Sequence, residues 1–251
     1  MKMSRSLIVL AAAAVFATFA SNASAQLTPY SQDFESLVQT DPIALTLDGW
    51  KVFANVFDAA GTGFLYNYGV FGAPNGGPAF SGVTDFGTGG FPPVGAQGLV
   101  TYSDYNNADQ NIGNRIETNV FQEQTIGAGD IGKTALFSFV AAPGNLAGAS
   151  EALAFIKTLD PNNGYNTSNF VTVATDALPA GNSSLSLSLD LTTPALVGQI
   201  FQFGFLTEAA NYEASGVNYD NVNLSVVPEP TSLCLAGMGL MAMFGARRQR
   251  A

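Results

Sequence analysis

Alternation is the strongest pattern in the chain. Leu185, Leu187, Leu189 and Leu191 are interleaved with Ser184, Ser186, Ser188 and Asp190. A period of two places the leucines on one face of a strand and the polar residues on the other. Phe201, Phe203 and Phe205 repeat the pattern within Gln199–Thr207, and Val222, Leu224 and Val226 repeat it within Val217–Val226. Trp50–Phe57, Phe64–Phe71, Gln97–Ser103, Asn114–Gln124, Lys133–Ala141, Glu151–Leu159 and Asn169–Thr175 are further runs rich in β-branched and aromatic residues. Asp48-Gly49, Gly127–Asp130 and Asp160-Pro-Asn-Asn-Gly164 punctuate them as turns. Between Asp58 and Gln97 glycine and proline crowd the chain, and only Phe64–Phe71 reads as a strand there. About ten short strands and no helical period between residues 26 and 226 predict an all-β, two-sheet antiparallel sandwich, a jelly roll.

The two ends follow other rules. Met1–Arg5 is basic, Ser6–Ala20 is apolar, and Ala23-Ser24-Ala25 is a small-residue cleavage signal before Gln26. That order predicts a signal peptide over residues 1–25. At the other end Pro228-Glu229-Pro230 is held extended by its prolines. Thr231–Ala246 is apolar and uncharged, and Arg247, Arg248 and Arg250 follow. No polar period breaks that run, so it predicts a short transmembrane helix and not an amphipathic one. Being shorter than the roughly 20 residues that span a bilayer comfortably, it depends on arginines reaching back to the headgroups. Positive residues stay on the cytoplasmic side, which fixes the orientation.

The three-part tail resembles the PEP-CTERM sorting signal. That resemblance implies recognition by exosortase, a membrane-embedded processing enzyme of Gram-negative bacteria that make exopolysaccharide. It implies delivery by the general secretion machinery and transient anchoring in the inner membrane. The mature protein would then reside at the cell surface or in the extracellular matrix. The chain thus divides into residues 1–25, a passenger at 26–226, and a sorting segment at 227–251.

Charge narrows what the passenger can do. It holds four basic residues, Lys51, Arg115, Lys133 and Lys157, against eighteen acidic ones, a net charge of −14. Nucleic acid and anionic lipid are poor partners for such a surface. The chain has no histidine, and its one cysteine, Cys234, lies in the tail. Disulfides, Ser-His-Asp and Cys-His catalysis are therefore excluded from the passenger, and zinc and copper sites are disfavoured. A hard, oxygen-bound cation is the metal its side chains could hold. Asp160–Asn166 opens like a calcium loop but has Val171 where the bidentate glutamate belongs, and reads as a turn.

Asp33-Phe34-Glu35, Trp50 and Tyr219-Asp220-Asn221-Val222 resemble the framework of galactose-binding-like jelly rolls, a fold used by many carbohydrate-binding modules. The resemblance implies that the first and last strands are neighbours. It also implies a structural calcium between Glu35 and Asp220. Sugar-binding faces stack on exposed aromatics, for which Tyr66, Tyr68, Tyr102 and Tyr105 are the candidates. The functional expectation is a non-enzymatic structural or adhesive protein of the exopolysaccharide. A specific carbohydrate-binding module is the alternative, and a carboxylate-based hydrolase a more distant one.

Overall fold

The computed structural model describes residues 26–85 and 94–228. Twelve strands form among these residues: β1 Tyr30–Gln32, β2 Lys51–Phe57, β3 Phe64–Gly72, β4 Ala79–Thr84, β5 Gly98–Asp104, β6 Arg115–Thr125, β7 Lys133–Pro143, β8 Glu151–Asp160, β9 Asn166–Ala174, β10 Ser183–Leu191, β11 Ile200–Ala209 and β12 Val217–Pro228. Among these residues one α-helical turn, α1 (Ala44–Leu47), tucks Ala44 and Leu45 inward, and four short 3-10 turns lie between strands. From β5 to β12 the chain crosses between two antiparallel sheets at every step except the β8–β9 hairpin, giving the order β10-β7-β12-β5 in the first and β6-β11-β8-β9 in the second. That wrapping is a jelly roll. β4 extends the first sheet beyond β5, the β2–β3 hairpin extends the second beyond β6, and β1 lies beside β12.

The period of two decides what is buried. Val52, Ala54 and Val56 of β2 face the interior, as do Leu187, Leu189 and Leu191 of β10, while Ser184, Ser186, Ser188 and Asp190 stay exposed. Between the sheets the aromatic rings interlock. Phe205 stacks on Tyr219 at 3.6 Å, Phe137 meets Phe203 at 5.3 Å, and Phe139 meets Phe205 at 5.2 Å. Such pairs add to area burial. The Tyr219 hydroxyl, inside this core, is satisfied by the Thr175 hydroxyl at 2.7 Å.

Two features depart from the sequence expectation. β4 is a strand inside the glycine- and proline-rich stretch. Its Phe80 has a positive φ of 74° at a register shift, so side-chain alternation is broken there. β12 continues two residues past 226, with Val227 opposite Thr134 and Pro228 opposite Lys133. The expected signal peptide, with Ala23 and Ala25, and the expected transmembrane helix lie outside the described residues.

Candidate functional site

The outer face of the second sheet carries a groove of about 890 Å³ that crosses all six strands. The alternation that buries Val52, Ala54 and Val56 turns Phe53 and Asn55 of β2 outward, and likewise Glu117, Asn119, Phe121 and Glu123 of β6. Gln202, Gly204 and Leu206 of β11 follow, with Phe155 and Lys157 of β8 and Phe170 of β9. Phe121, Phe155 and Leu206 form a second apolar cluster on this face, with Phe53 and Leu153 packed against it. Gly204 makes the floor possible, because a Cβ there would lie 2.2 Å from the Val120 carbonyl oxygen. At one rim Phe170 is 52 % exposed and Tyr165 60 %. Tyr165 stands there because the Asp160–Tyr165 turn closes on the Tyr165 N–H to Asp160 carbonyl bond at 2.8 Å, with Tyr165 itself at φ 60°. A non-glycine residue with positive φ is uncommon and worth notice at a binding rim.

Polar side chains run across this apolar floor. Lys51 Nζ pairs with Glu123 Oε1 at 2.9 Å, and Gln202 Nε2 donates to Glu123 Oε2 at 2.8 Å. Asn55 and Asn119 both donate to Glu117 Oε1, at 3.0 and 2.9 Å. Asn119 Oδ1 accepts from Lys157 Nζ at 3.1 Å. The ammonium lies over the Phe155 ring, 4.7 Å from its centroid, and 5.9 Å from that of Phe121. Burial pushes the Lys157 pKa down, against the pull of Glu117 and Glu123. Gln202 Oε1 is buried and has no hydrogen-bond partner among the described residues. Glu117 and Glu123 are six residues apart on one strand, about 20 Å along it. That exceeds the roughly 5–10 Å between the carboxyls of glycoside hydrolases, and each glutamate already holds its own partners.

The tyrosines picked out by sequence lie elsewhere. Tyr66 and Tyr68 stack at 6.1 Å, and their hydroxyls donate to Asp109 at 2.7 Å and Asp104 at 3.0 Å. Asn107 donates to both hydroxyls. Tyr102 and Tyr105 stack at 6.1 Å as a second pair. Tyr102 donates to the Gly77 carbonyl at 2.8 Å, and Tyr105 shares a 2.6 Å bond with Ser215. These phenols hold loops together, and none of the four lines the groove.

Glu35 and Asp220 are brought to one place. β1 pairs with β12 (Gln32 opposite Val222), and Asp220 sits at the bulge where β12 exchanges β5 for β1, with Asn221 at φ 47°. Asp220 Oδ2 accepts from Val94 N–H at 2.9 Å, and Glu35 Oε1 from Ala96 N–H at 2.7 Å and Gln97 N–H at 3.2 Å. Burial, with the nearby Glu35 and Asp33 charges adding to it, pushes the Asp220 carboxyl up to about 6. Among the described residues no three acidic side chains gather as a metal cluster. Gln26 is the first described residue and is exposed, and Pro228 closes β12. Glu229, Pro230, Arg247, Arg248 and Arg250 lie outside the described residues.

Sequence reasoning missed the groove because its floor is written in residues that look ordinary one at a time. The signal was there in β11, where Gln202, Gly204 and Leu206 interleave with the phenylalanines, so that both faces of one strand are buried.

No curated protein sequence matches the chain. Among solved structures, a Stig cyclase from Fischerella sp. TAU overlaps with a TM-score of 0.44 at 12% identity, over 80% of this chain and 99% of that one. The enzymatically active domain of tailspike protein 4 of bacteriophage CBA120 overlaps with a TM-score of 0.42 at 13% identity, over 76% of this chain and only 21% of that one. The CBM22-1 xylan-binding domain of Paenibacillus barcinonensis Xyn10C overlaps with a TM-score of 0.35 at 12% identity, over 59% of this chain and 81% of that one. At residues 226–250 the chain matches the family model of the PEP-CTERM protein-sorting motif, which makes it a carrier of an exosortase sorting signal on a jelly-roll passenger.

Proposed function

We propose that this is an exported, non-catalytic carbohydrate-binding protein, sorted through its tail and holding a glycan chain in the groove of the second sheet. The signal peptide would export the passenger, and the tail would hold it in the inner membrane until exosortase acts. The protein would then work at the surface or in the exopolysaccharide matrix. The observation that carries the binding reading is the groove itself. An apolar floor with exposed rings at its rim suits pyranose faces. The amide and carboxylate groups across it suit hydroxyls, the usual mix of a ligand cleft. An adhesive role in the matrix follows from the same binding.

Calcium between Glu35 and Asp220 remains part of this reading as a structural element, separate from the groove. The backbone amides of Val94, Ala96 and Gln97 already engage both carboxylates. A cation there would fasten the first strand to the last.

The test is a glycan array probed with the full-length protein in neutral detergent, followed by titration of the best binder. Phe170 is exposed, so Phe170→Ala should leave the melting temperature unchanged and weaken binding about tenfold, as loss of an aromatic anchor does. Glycan binding that survives Phe170→Ala and Phe53→Ala unchanged places the ligand elsewhere. Release of shortened oligosaccharides by pure protein would overturn the non-catalytic reading.

A further inference from the structure

We infer that the groove selects a sugar bearing a carboxylate, a uronic acid, and that Lys157 on β8 is the residue that reads it. This rests on the carbohydrate reading of the groove and names its ligand class. Four basic side chains lie in the described residues, and three already meet carboxylates. Lys51 pairs with Glu123, Arg115 with Glu208 and Glu151, and Lys133 with Asp130. Among the described residues Lys157 has no carboxylate within ion-pair distance. Among the described residues it hydrogen-bonds the Asn119 amide oxygen.

Asn119 holds the two charges apart. Its oxygen accepts from Lys157 and its amide donates to Glu117, so the carboxylate cannot close on the ammonium. An ammonium has three donors, and two remain for a ligand. It is half-buried over phenyl rings, where an unpaired charge is costly and an arriving anion is correspondingly favoured.

A second observation points to the same spot. Gln202 is directly opposite Lys157 in the β11–β8 pairing and is 3 % exposed. Its Nε2 is committed to Glu123, and its Oε1 has no partner among the described residues. A ligand meeting this row needs an acceptor for Lys157 and, one strand spacing away, a donor for Gln202. A uronic acid supplies a carboxylate and neighbouring hydroxyls. The passenger's net charge of −14 does not forbid this, because charges farther than about 8 Å are screened at physiological salt. Nearby, Glu123 is paired with Lys51, and Glu117 is engaged by the amides of Asn55 and Asn119.

The experiment uses full-length protein in neutral detergent on an array of uronate-containing glycans. Each is paired with its methyl ester, which keeps the backbone and linkage and removes the charge. The acids should bind about tenfold more tightly than the esters, the worth of one charge-assisted hydrogen bond. Lys157→Met, which keeps the stem over Phe155, should bind acid and ester alike, and Lys157→Arg should keep the preference. Melting temperature checks that both variants fold. Equal binding of acids and esters by the natural protein overturns the assignment and leaves the carbohydrate reading standing. Neutral glycans bound in preference to every acid do the same. Binding to no glycan on the array overturns both.

Discussion

Asp220 is a carboxylate placed where water reaches it poorly and other carboxylates are near. Its ordinary pKa of 3.8 is pushed up to about 6, by burial first and by Glu35 and Asp33 after that, while the Asn221 and Val94 amides work the other way. The folded chain therefore binds this proton more tightly than the unfolded chain does. Linkage then sets the sign. The contribution to stability is full below about pH 4, falls as pH rises from there through about 6, and is level above. Asp220→Asn keeps an acceptor for Val94 N–H and cannot titrate. In urea unfolding at pH 4.5 and 6.5, the natural protein should lose stability between the two relative to Asp220→Asn. An identical pH response of the two proteins would mean that Asp220 does not titrate with folding. Lys157 has the opposite character, a cation whose burial disfavours its charge.

At the scale of elements, strand positions were legible whether a strand buries one face, both or neither, as β3, β9 and β11 show, but what covers each face was legible only where a single face is buried. β10 is the clear case, since four leucines and four polar residues alternate without interruption and the structure buries the leucine side. β11 was located correctly from Phe201, Phe203 and Phe205, but the same reading made its other face wet. Gln202, Gly204 and Leu206 are instead covered by neighbouring side chains on the sheet. Periodicity says which residues share a face, and it does not say what a curved sheet lays across that face. β4 was hidden because Phe80 turns left-handed and Gly82 lies under the Gly76 backbone, 3.1 Å from where its Cβ would be. The tyrosines were chosen for residue type alone, and their hydroxyls are used within the fold. Gly204 tests the element-level account. A methyl at this position would strike the Val120 carbonyl at 2.2 Å and the Phe121 Cα at 2.6 Å, both backbone atoms that cannot rotate away. Gly204→Ala should therefore cost about 3 kcal/mol or more in unfolding free energy and weaken glycan binding as β11 shifts under the groove. A loss below about 0.5 kcal/mol, the range of ordinary surface changes, would show that the β6–β11 contact is looser than described.

Across the whole molecule, the two ends of the described chain come together. Leu27 N–H donates to Asp130 Oδ2 at 2.9 Å, Lys133 pairs with Asp130, and Pro228 lies opposite Lys133. The first and last described residues thus meet at the same turn. The groove lies on the outer face of the second sheet, and β12, which ends at Pro228, belongs to the first. Val226, Val227 and Pro228 belong both to β12 and to the sorting motif. No spacer separates the folded domain from the signal. Processing that removes the chain after the Pro228–Pro230 region therefore spares every described strand pair, while cutting farther back would strip β12 from β7. The protein collected outside the cell should have an intact mass that ends in this region and lacks Arg250. It should also keep the melting temperature and glycan affinity of the full-length chain. A mass that includes Arg250 would remove exosortase processing from the account. A mass that ends before Val226 would mean that β12 is opened during sorting.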